Sequence, residues 1–373
     1  MCACPCVVIK NISAMNKKVI IAIDSFKGCL TSREANEAAA EGILGVMADA
    51  EVIQIPVSDG GEGWLEAFRA ATGGELVALT VADPLLRPVT AHYLVSGETA
   101  VIEIAQASGL TLLAPDERNP LRATSYGTGQ LVVDAVRRGC RKVIVGLGGS
   151  ATSDCGIGMI RAVIDGFARH GTWDDVRELK DVQFTIATDV TNPLCGPQGA
   201  ACVFAPQKGA TAEMVDVLDG RARRFAEVSA RHFGFDRQDL PGAGAAGGLG
   251  YAFLQYLNAS CQPGVDVLLN AVGFDEVLHG ASLVITGEGS ADRQTLMGKL
   301  PSGLLRRASA QGVPVVLIAG CVSDRQALLD AGFAEVACIN PPGLSKEEAM
   351  KPAVARRNIS NVMAKLPAIS VKA

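Results

Sequence analysis

Short, unbroken apolar runs alternate along this chain with longer segments whose apolar residues recur every three or four positions. The run "KKVIIAI" (17–23) is apolar at every position after its two lysines, which predicts a strand buried on both faces of a parallel sheet. After the loop "DSFKGCL", residues 31–46 carry helical spacing, and Thr31 with Glu34 forms a capping box at the start. "EVIQIPV" (51–57) reads as a second strand, "SDGGEG" as its loop and "WLEAFRAAT" (64–72) as the next helix. Residues 75–104 are extended, with turns at "DPLLRP" and "SGET", and suggest antiparallel or mixed pairing.

A second series of strand, loop and helix follows. Helix "GTGQLVVDAVRRG" leads to strand "KVIVGL" and loop "GGSATSDCG"; strand "FTIAT" leads to loop "DVTNPLCGPQGA". A helix over 211–231 carries Met214, Leu218, Ala222 and Phe225 at core spacing. Strand "ASLVIT", loop "GEGSADRQTLMGK", helix "SGLLRRASAQG" and strand "VPVVLIAG" come next, and 345–366 reads as one closing helix. The pattern predicts an α/β protein, and 373 residues are long for a single core, so two α/β lobes are expected. In open α/β sheets ligands sit outside the carboxyl ends of the strands. The loops there offer Asp24, Lys27, Asp59, Glu62, Ser150, Asp154, Asp189, Glu288 and Asp292.

"PGAGAAGGLG" (241–250) holds Gly242, Gly244 and Gly247 at the G-x-G-x-x-G spacing of a dinucleotide turn. That turn needs a hydrophobic strand immediately before it, and here the preceding "RHFGFDRQDLP" is polar and ends in proline. Asp266, near the spacing of a ribose-binding acid, follows Pro263 and Gly264. The context disfavours NAD or FAD and leaves a loop for close backbone approach or tight packing.

Composition narrows the classes. A net charge of −5 without a basic stripe argues against nucleic acid, and no apolar run reaches the ~20 residues of a membrane span. The eleven cysteines show no repeated framework spacing, as expected of reduced thiols in a cytoplasmic enzyme. Cys2, Cys4 and Cys6 form a C-x-C-x-C array with no further ligands nearby to complete a metal site. The first 16 residues are expected to be a disordered extension, with Met15 a natural start for the first strand.

Acidic residues in Gly-rich loops beside a few cations suit phosphoryl transfer, which needs positioned charge more than covalent catalysis. No Walker A, H-R-D or D-F-G motif is present, so a kinase here requires another fold. His92, His170, His232 and His279 fall in strand or helix patterns rather than in the candidate loops, which disfavours His-based nucleophilic or metal chemistry. Several candidates also have purely structural readings. Asp59 and Asp154 could serve as helix caps or turn residues, Asp189 as an Asx-turn and Lys299 as a solvated lysine.

The stretches "DSFKG", "PVSDGGEG", "NPLRATSYGTG", "GLGGSATSDCG", "ATDVTNPLCGPQGA", "FAPQKGAT", "LPGAGAAGGLG" and "ITGEGSADRQTLMGK", in this order, resemble the bacterial type I glycerate kinase family from about Lys18 to past Gly320. The resemblance implies ATP-dependent, Mg²⁺-dependent phosphorylation of D-glycerate, typically to 2-phosphoglycerate. It also implies two α/β domains, one Rossmann-like with a parallel sheet and one flavodoxin-like with a mixed sheet, and an active site in the cleft. The expected division is 17–62 plus 286–373 for the first and 63–285 for the inserted second.

The residue roles implied by the resemblance are as follows. Asp189 is the general base or orienter of the glycerate hydroxyl, and Lys27 and Asp292 complete the catalytic group. Asp24, Ser25, Asp59, Glu62, Arg122 and Lys299 bind substrate, with Arg122 clamping the glycerate carboxylate and Asp59 and Glu62 alternative Mg²⁺ ligands. The turn with Gly148, Gly149, Ser150 and Asp154 holds the ATP phosphates at a helix N-terminus. The expected partners are thus glycerate and ATP, with no nucleic acid or membrane; a homodimer is compatible with the sequence but not required by it.

This chain departs from the family pattern at Ser153 and Cys155, in a shorter bridge over 160–181, and at Ser290, where the family usually has arginine. The missing arginine keeps open a kinase for another small hydroxy acid, and the shorter bridge a non-catalytic ligand-binding relative; formation of 3-phosphoglycerate and a dehydrogenase are the further alternatives.

Overall fold

The computed structural model describes residues 18–58 and 63–366. The predicted N-terminal extension, with Cys2, Cys4 and Cys6, lies outside the described residues, as do Asp59 and Glu62. Eleven strands occur among the described residues: β1 (Lys18–Ile23), β2 (Glu51–Gln54), β3 (Glu75–Ala82), β4 (Pro88–Ser96), β5 (Thr99–Glu103), β6 (Lys142–Gly146), β7 (Gln183–Ala187), β8 (Ser260–Gln262), β9 (Leu283–Ala291), β10 (Val315–Val322) and β11 (Glu335–Cys338). They form two sheets in two compact units, one built from residues 18–58 with 268–366, the other from residues 63–267.

The first unit holds a five-stranded sheet in the order β11-β10-β9-β1-β2, parallel throughout. β1 sits inside it, and Val19 through Ile23 are fully buried, which explains the unbroken apolar run. Helix Ser32–Val46 begins at the expected capping box: the Thr31 hydroxyl accepts the Glu34 amide and the Glu34 carboxylate accepts the Thr31 amide. Its Asn36 side chain is buried and bridges two strand ends, accepting from the Ile23 amide and donating to the Ile55 carbonyl. The closing segment 345–366 is two helices rather than one, Lys346–Ala349 and Pro352–Met363. Pro352 starts the second because its ring suits a first turn and cannot continue a preceding helix.

The second unit holds a six-stranded sheet, order β3-β4-β5-β6-β7-β8. β3, β4 and β5 pair antiparallel, and β5 through β8 run parallel. This is the mixed pairing expected for 75–104, joined to a parallel part whose strands follow one another in chain order. Helices Tyr126–Arg137 and Ile157–Phe167 cross where Gly129 approaches so closely that a Cβ there would lie 2.5 Å from the Met159 carbonyl oxygen. Helix Ala212–Phe233 buries Leu218, Ala222 and Ala226. No helix among the described residues is long and apolar enough to cross a membrane. His170 and His279 lie in bends or turns rather than in the strand or helix settings predicted for them.

Candidate active site

In the first unit the loops after β1, β9, β10 and β11 surround a cavity of about 760 Å³. β1 ends at Ile23, and the following turn is closed by a bridge between Phe26 and Leu30 that presents Asp24, Ser25 and Lys27 to the cavity. Asp24 is buried and accepts the Ser25 amide at 2.7 Å. Glu288, at the end of β9, accepts the Thr295 hydroxyl at 2.6 Å and faces Lys299 Nζ at 3.7 Å. Burial raises the Glu288 carboxyl above its ordinary range, an effect the Thr295 hydroxyl and Lys299 oppose.

The predicted residues Asp24, Ser25, Lys27 and Lys299 therefore share one cavity, together with Ser290. Asp292 is placed differently. It caps the turn Arg293–Leu296 by accepting the Gln294 amide, and so holds the segment that carries Thr295 to Glu288. Lys346 also lines this cavity, and sequence reading missed it because it sits in the segment read as one closing helix, 345–366. Asn340, after β11, fixes the far wall by donating to the Gly320 carbonyl and accepting from Asn358.

In the second unit the turn between β6 and helix Ile157–Phe167 carries Gly148, Gly149, Ser150 and Asp154. It is anchored on several sides. The Gly149 carbonyl accepts the Leu110 amide, the Ala151 amide donates to Ser108, and the Cys155 amide donates to Gly247. Asp154 is its internal tie: one oxygen accepts the Ser125 amide, the Ser125 hydroxyl and the Gly158 amide, and the other accepts the Gly156 amide. The carboxylate joins the starts of two helices, which is the capping alternative for this residue.

The glycine-rich segment 241–250 buttresses the same turn. Gly247 and Gly248 take left-handed backbone, and a Cβ on Gly247 would stand 2.0 Å from the Thr152 carbonyl oxygen. A Cβ on Gly244 would stand 2.3 Å from that of Pro193. These glycines serve close packing of backbone on backbone, in place of a dinucleotide turn. Asp266 lies in the first turn of helix Gly264–Ala271.

Asp189 follows β7, is exposed, and accepts the Gly264 amide at 3.3 Å. Arg122 is exposed on the segment before helix Tyr126–Arg137. The structure adds Lys208, which lies in "FAPQKGAT" and had been given no role. It is 3% exposed and donates to the Ser150 hydroxyl at 2.8 Å and the Thr152 carbonyl at 2.7 Å. Burial lowers its ammonium to about 7, partly offset by Asp154. A lysine between Gln207 and Gly209, two positions after Pro206, carries no local sign of burial, so only its tertiary environment could reveal it.

The sequence pattern of the glycerate kinase family matches residues 19–370. A glycerate kinase of Bacillus subtilis (strain 168) is 42% identical over 356 residues, covering 90% of this chain and 93% of that protein. A glycerate 2-kinase of Escherichia coli (strain K12) is 40% identical over 327 residues, covering 82% of this chain and 86% of that protein. A solved structure of a "putative glycerate kinase 2" from Salmonella typhimurium LT2 superposes with a TM-score of 0.80 at 36% identity, over 95% of this chain and 98% of that one.

Proposed function

The chain belongs to the glycerate kinase family and is a kinase; from that premise we propose that it transfers the γ-phosphoryl group of ATP to the 2-hydroxyl of D-glycerate, giving 2-phospho-D-glycerate. The observation that carries this reading is the match along nearly the whole chain to glycerate kinases, one of them named a 2-kinase. Two sets of polar loops at strand carboxyl ends are its structural support.

In this reading each group contributes charge or position. Asp189, exposed at the end of β7, orients the acceptor hydroxyl and takes its proton. Lys27 and Lys299 offset negative charge in their cavity, beside Asp24 and Ser25. Arg122 has the planar fork that suits a carboxylate. The turn at 148–154 receives the nucleotide phosphates. Asp59 and Glu62, substrate or Mg²⁺ ligands in the same proposal, are outside the described residues. Asp292 acts by holding Thr295 and, through it, Glu288.

No group of three or more His, Cys, Asp or Glu among the described residues is arranged to hold a metal. A kinase Mg²⁺ needs only one or two carboxylates beside the phosphate oxygens, and Asp24 and Glu288 offer such oxygen donors in one cavity. When bound, the ion would neutralise phosphate charge, with either Asp24 and Glu288 or Asp59 and Glu62 as its carboxylate ligands.

Purified protein with D-glycerate, ATP and Mg²⁺ tests the proposal, with ADP release followed and the product identified by phosphorus NMR. 2-Phosphoglycerate is the expected product; 3-phosphoglycerate would move the acceptor hydroxyl, and no ADP release from folded protein would defeat the reading. One observation favours a second acceptor: Ser290, without positive charge, lines the cavity of the first unit. Turnover with tartronate, lactate or glycolate above that with glycerate would establish it.

A further inference from the structure

A lysine buried in the second unit has no role in the reaction outlined above. Lys208 ends the short turn Pro206–Lys208 and is buried; Gly209 after it takes left-handed backbone, where a Cβ would stand 2.7 Å from the Arg118 carbonyl oxygen. Its two hydrogen-bond acceptors are the uncharged Ser150 hydroxyl and Thr152 carbonyl. Among the described residues no carboxylate forms an ion pair with it. Asp154 is the one titratable group whose charge reaches it, and Asp154 already accepts hydrogen bonds from Ser125, Gly156 and Gly158. From the other side, Arg118 packs on Gly209 through its backbone, and its own buried Nε has no partner.

A second, independent feature marks the same turn. The hydroxyls of Thr152 and Ser153 are buried and have no hydrogen-bond partner. Thr152 is 0% exposed and Ser153 7%. Buried hydroxyls normally find partners, since each unmade bond costs about 1–3 kcal/mol. Three hydroxyl side chains thus lie on one turn ahead of an eleven-residue helix, and an ammonium with no ion-paired carboxylate donates to that turn.

We propose that Lys208 is a positioning residue of a phosphate-binding site formed with the turn 148–154, acting through Ser150 and the Thr152 carbonyl to supply the positive charge an anion meets there. The inference rests on the reading of this turn as the nucleotide site. Because Lys208 donates to the Ser150 oxygen, the hydroxyl hydrogen of Ser150 is left to donate to a phosphate oxygen. The arriving anion supplies the missing counter-charge, so it stabilises the ammonium and draws a proton onto the amine.

The site should therefore take up a proton as it fills. With an amine near 7, free protein at pH 8 holds the proton in roughly one molecule in ten, so MgATP binding that fully protonates the amine takes up roughly 0.9 of a proton. At pH 6 the uptake falls to roughly 0.1.

Calorimetric titration with MgATP, without glycerate, in two pH 8 buffers of different ionisation enthalpy measures this number directly. Wild type is expected to take up most of a proton. Lys208→Met is expected to take up none and to bind roughly ten- to a hundredfold more weakly. Ser150→Ala separates the two readings. If binding needs Ser150 but wild type takes up no proton, or Lys208→Met binds unchanged, the inference falls and the nucleotide turn stands. If wild-type affinity ignores Ser150→Ala, or wild type does not bind MgATP, the nucleotide turn falls and takes the inference with it. Should Lys208→Met fail to fold, zero uptake by wild type still overturns the proposal.

Discussion

The buried Lys208 makes stability depend on pH in a direction opposite to that of a paired lysine. Its amine drops from 10.5, ordinary for lysine, to about 7 in the folded protein. Between those values the unfolded chain holds a proton that the folded protein has released, so native stability rises with pH across that window. At pH 7 the unfolded amine is fully charged and the folded one half charged, a penalty of about 4 kcal/mol; at pH 9 the penalty is about 2 kcal/mol. Below about 7 both states bind the proton and this dependence stops.

Lys208→Met removes the titrating group while keeping most of the buried stem volume. The difference in unfolding free energy between variant and wild type should shrink by about 2 kcal/mol from pH 7 to pH 9, and all other titrations cancel in that difference. Urea denaturation of both proteins at the two pH values, followed by far-UV circular dichroism, reads it. A difference that stays constant within about 0.5 kcal/mol would refute the argument, because it would mean Lys208 keeps its charge in the folded state through a partner the structure does not provide.

Other outcomes follow from the same geometry. Asp189→Asn should lower turnover by roughly 10²–10⁴-fold while changing stability by less than about 0.5 kcal/mol, since the side chain is exposed; near-normal turnover in the glycerate assay would remove it as the base. Gly247→Ala adds a Cβ 2.0 Å from the Thr152 carbonyl at a left-handed position, and should cost about 3 kcal/mol or more in thermal unfolding and weaken MgATP binding by displacing the turn. Asp154→Ala strands the amides of Ser125, Gly156 and Gly158, with an expected loss of about 2–4 kcal/mol in denaturant unfolding; a loss under 1 kcal/mol would mean water replaces the carboxylate.

What the sequence by itself determined is everything whose cause lies within a few residues. The all-apolar run of β1 states that both faces are covered, and Thr31 with Glu34 marks a helix start through bonds that span three residues. The polar loops at strand ends were legible for the same reason, and so was the failure of 241–250 as a cofactor turn, because the strand it needs would have to precede it directly. The break at Pro352 was missed, because helical periodicity runs across 345–366 and masked it.

The tertiary structure decided what depends on partners far along the chain. Asp24, Lys27, Glu288 and Lys299 share one cavity only because β1 and β9 pair in a parallel register across more than two hundred residues. Asp154 acts as a tie between two helices because Ser125 returns to it from 29 positions away. Lys208 lies 58 residues from Ser150, and whether its ammonium meets water or a buried hydroxyl depends on how the chain between them folds back. Local patterns record hydrogen bonds and periodicity within one element; the solvation of a charge is set by all the elements that close over it, and for Lys208 that fixes its ionisation.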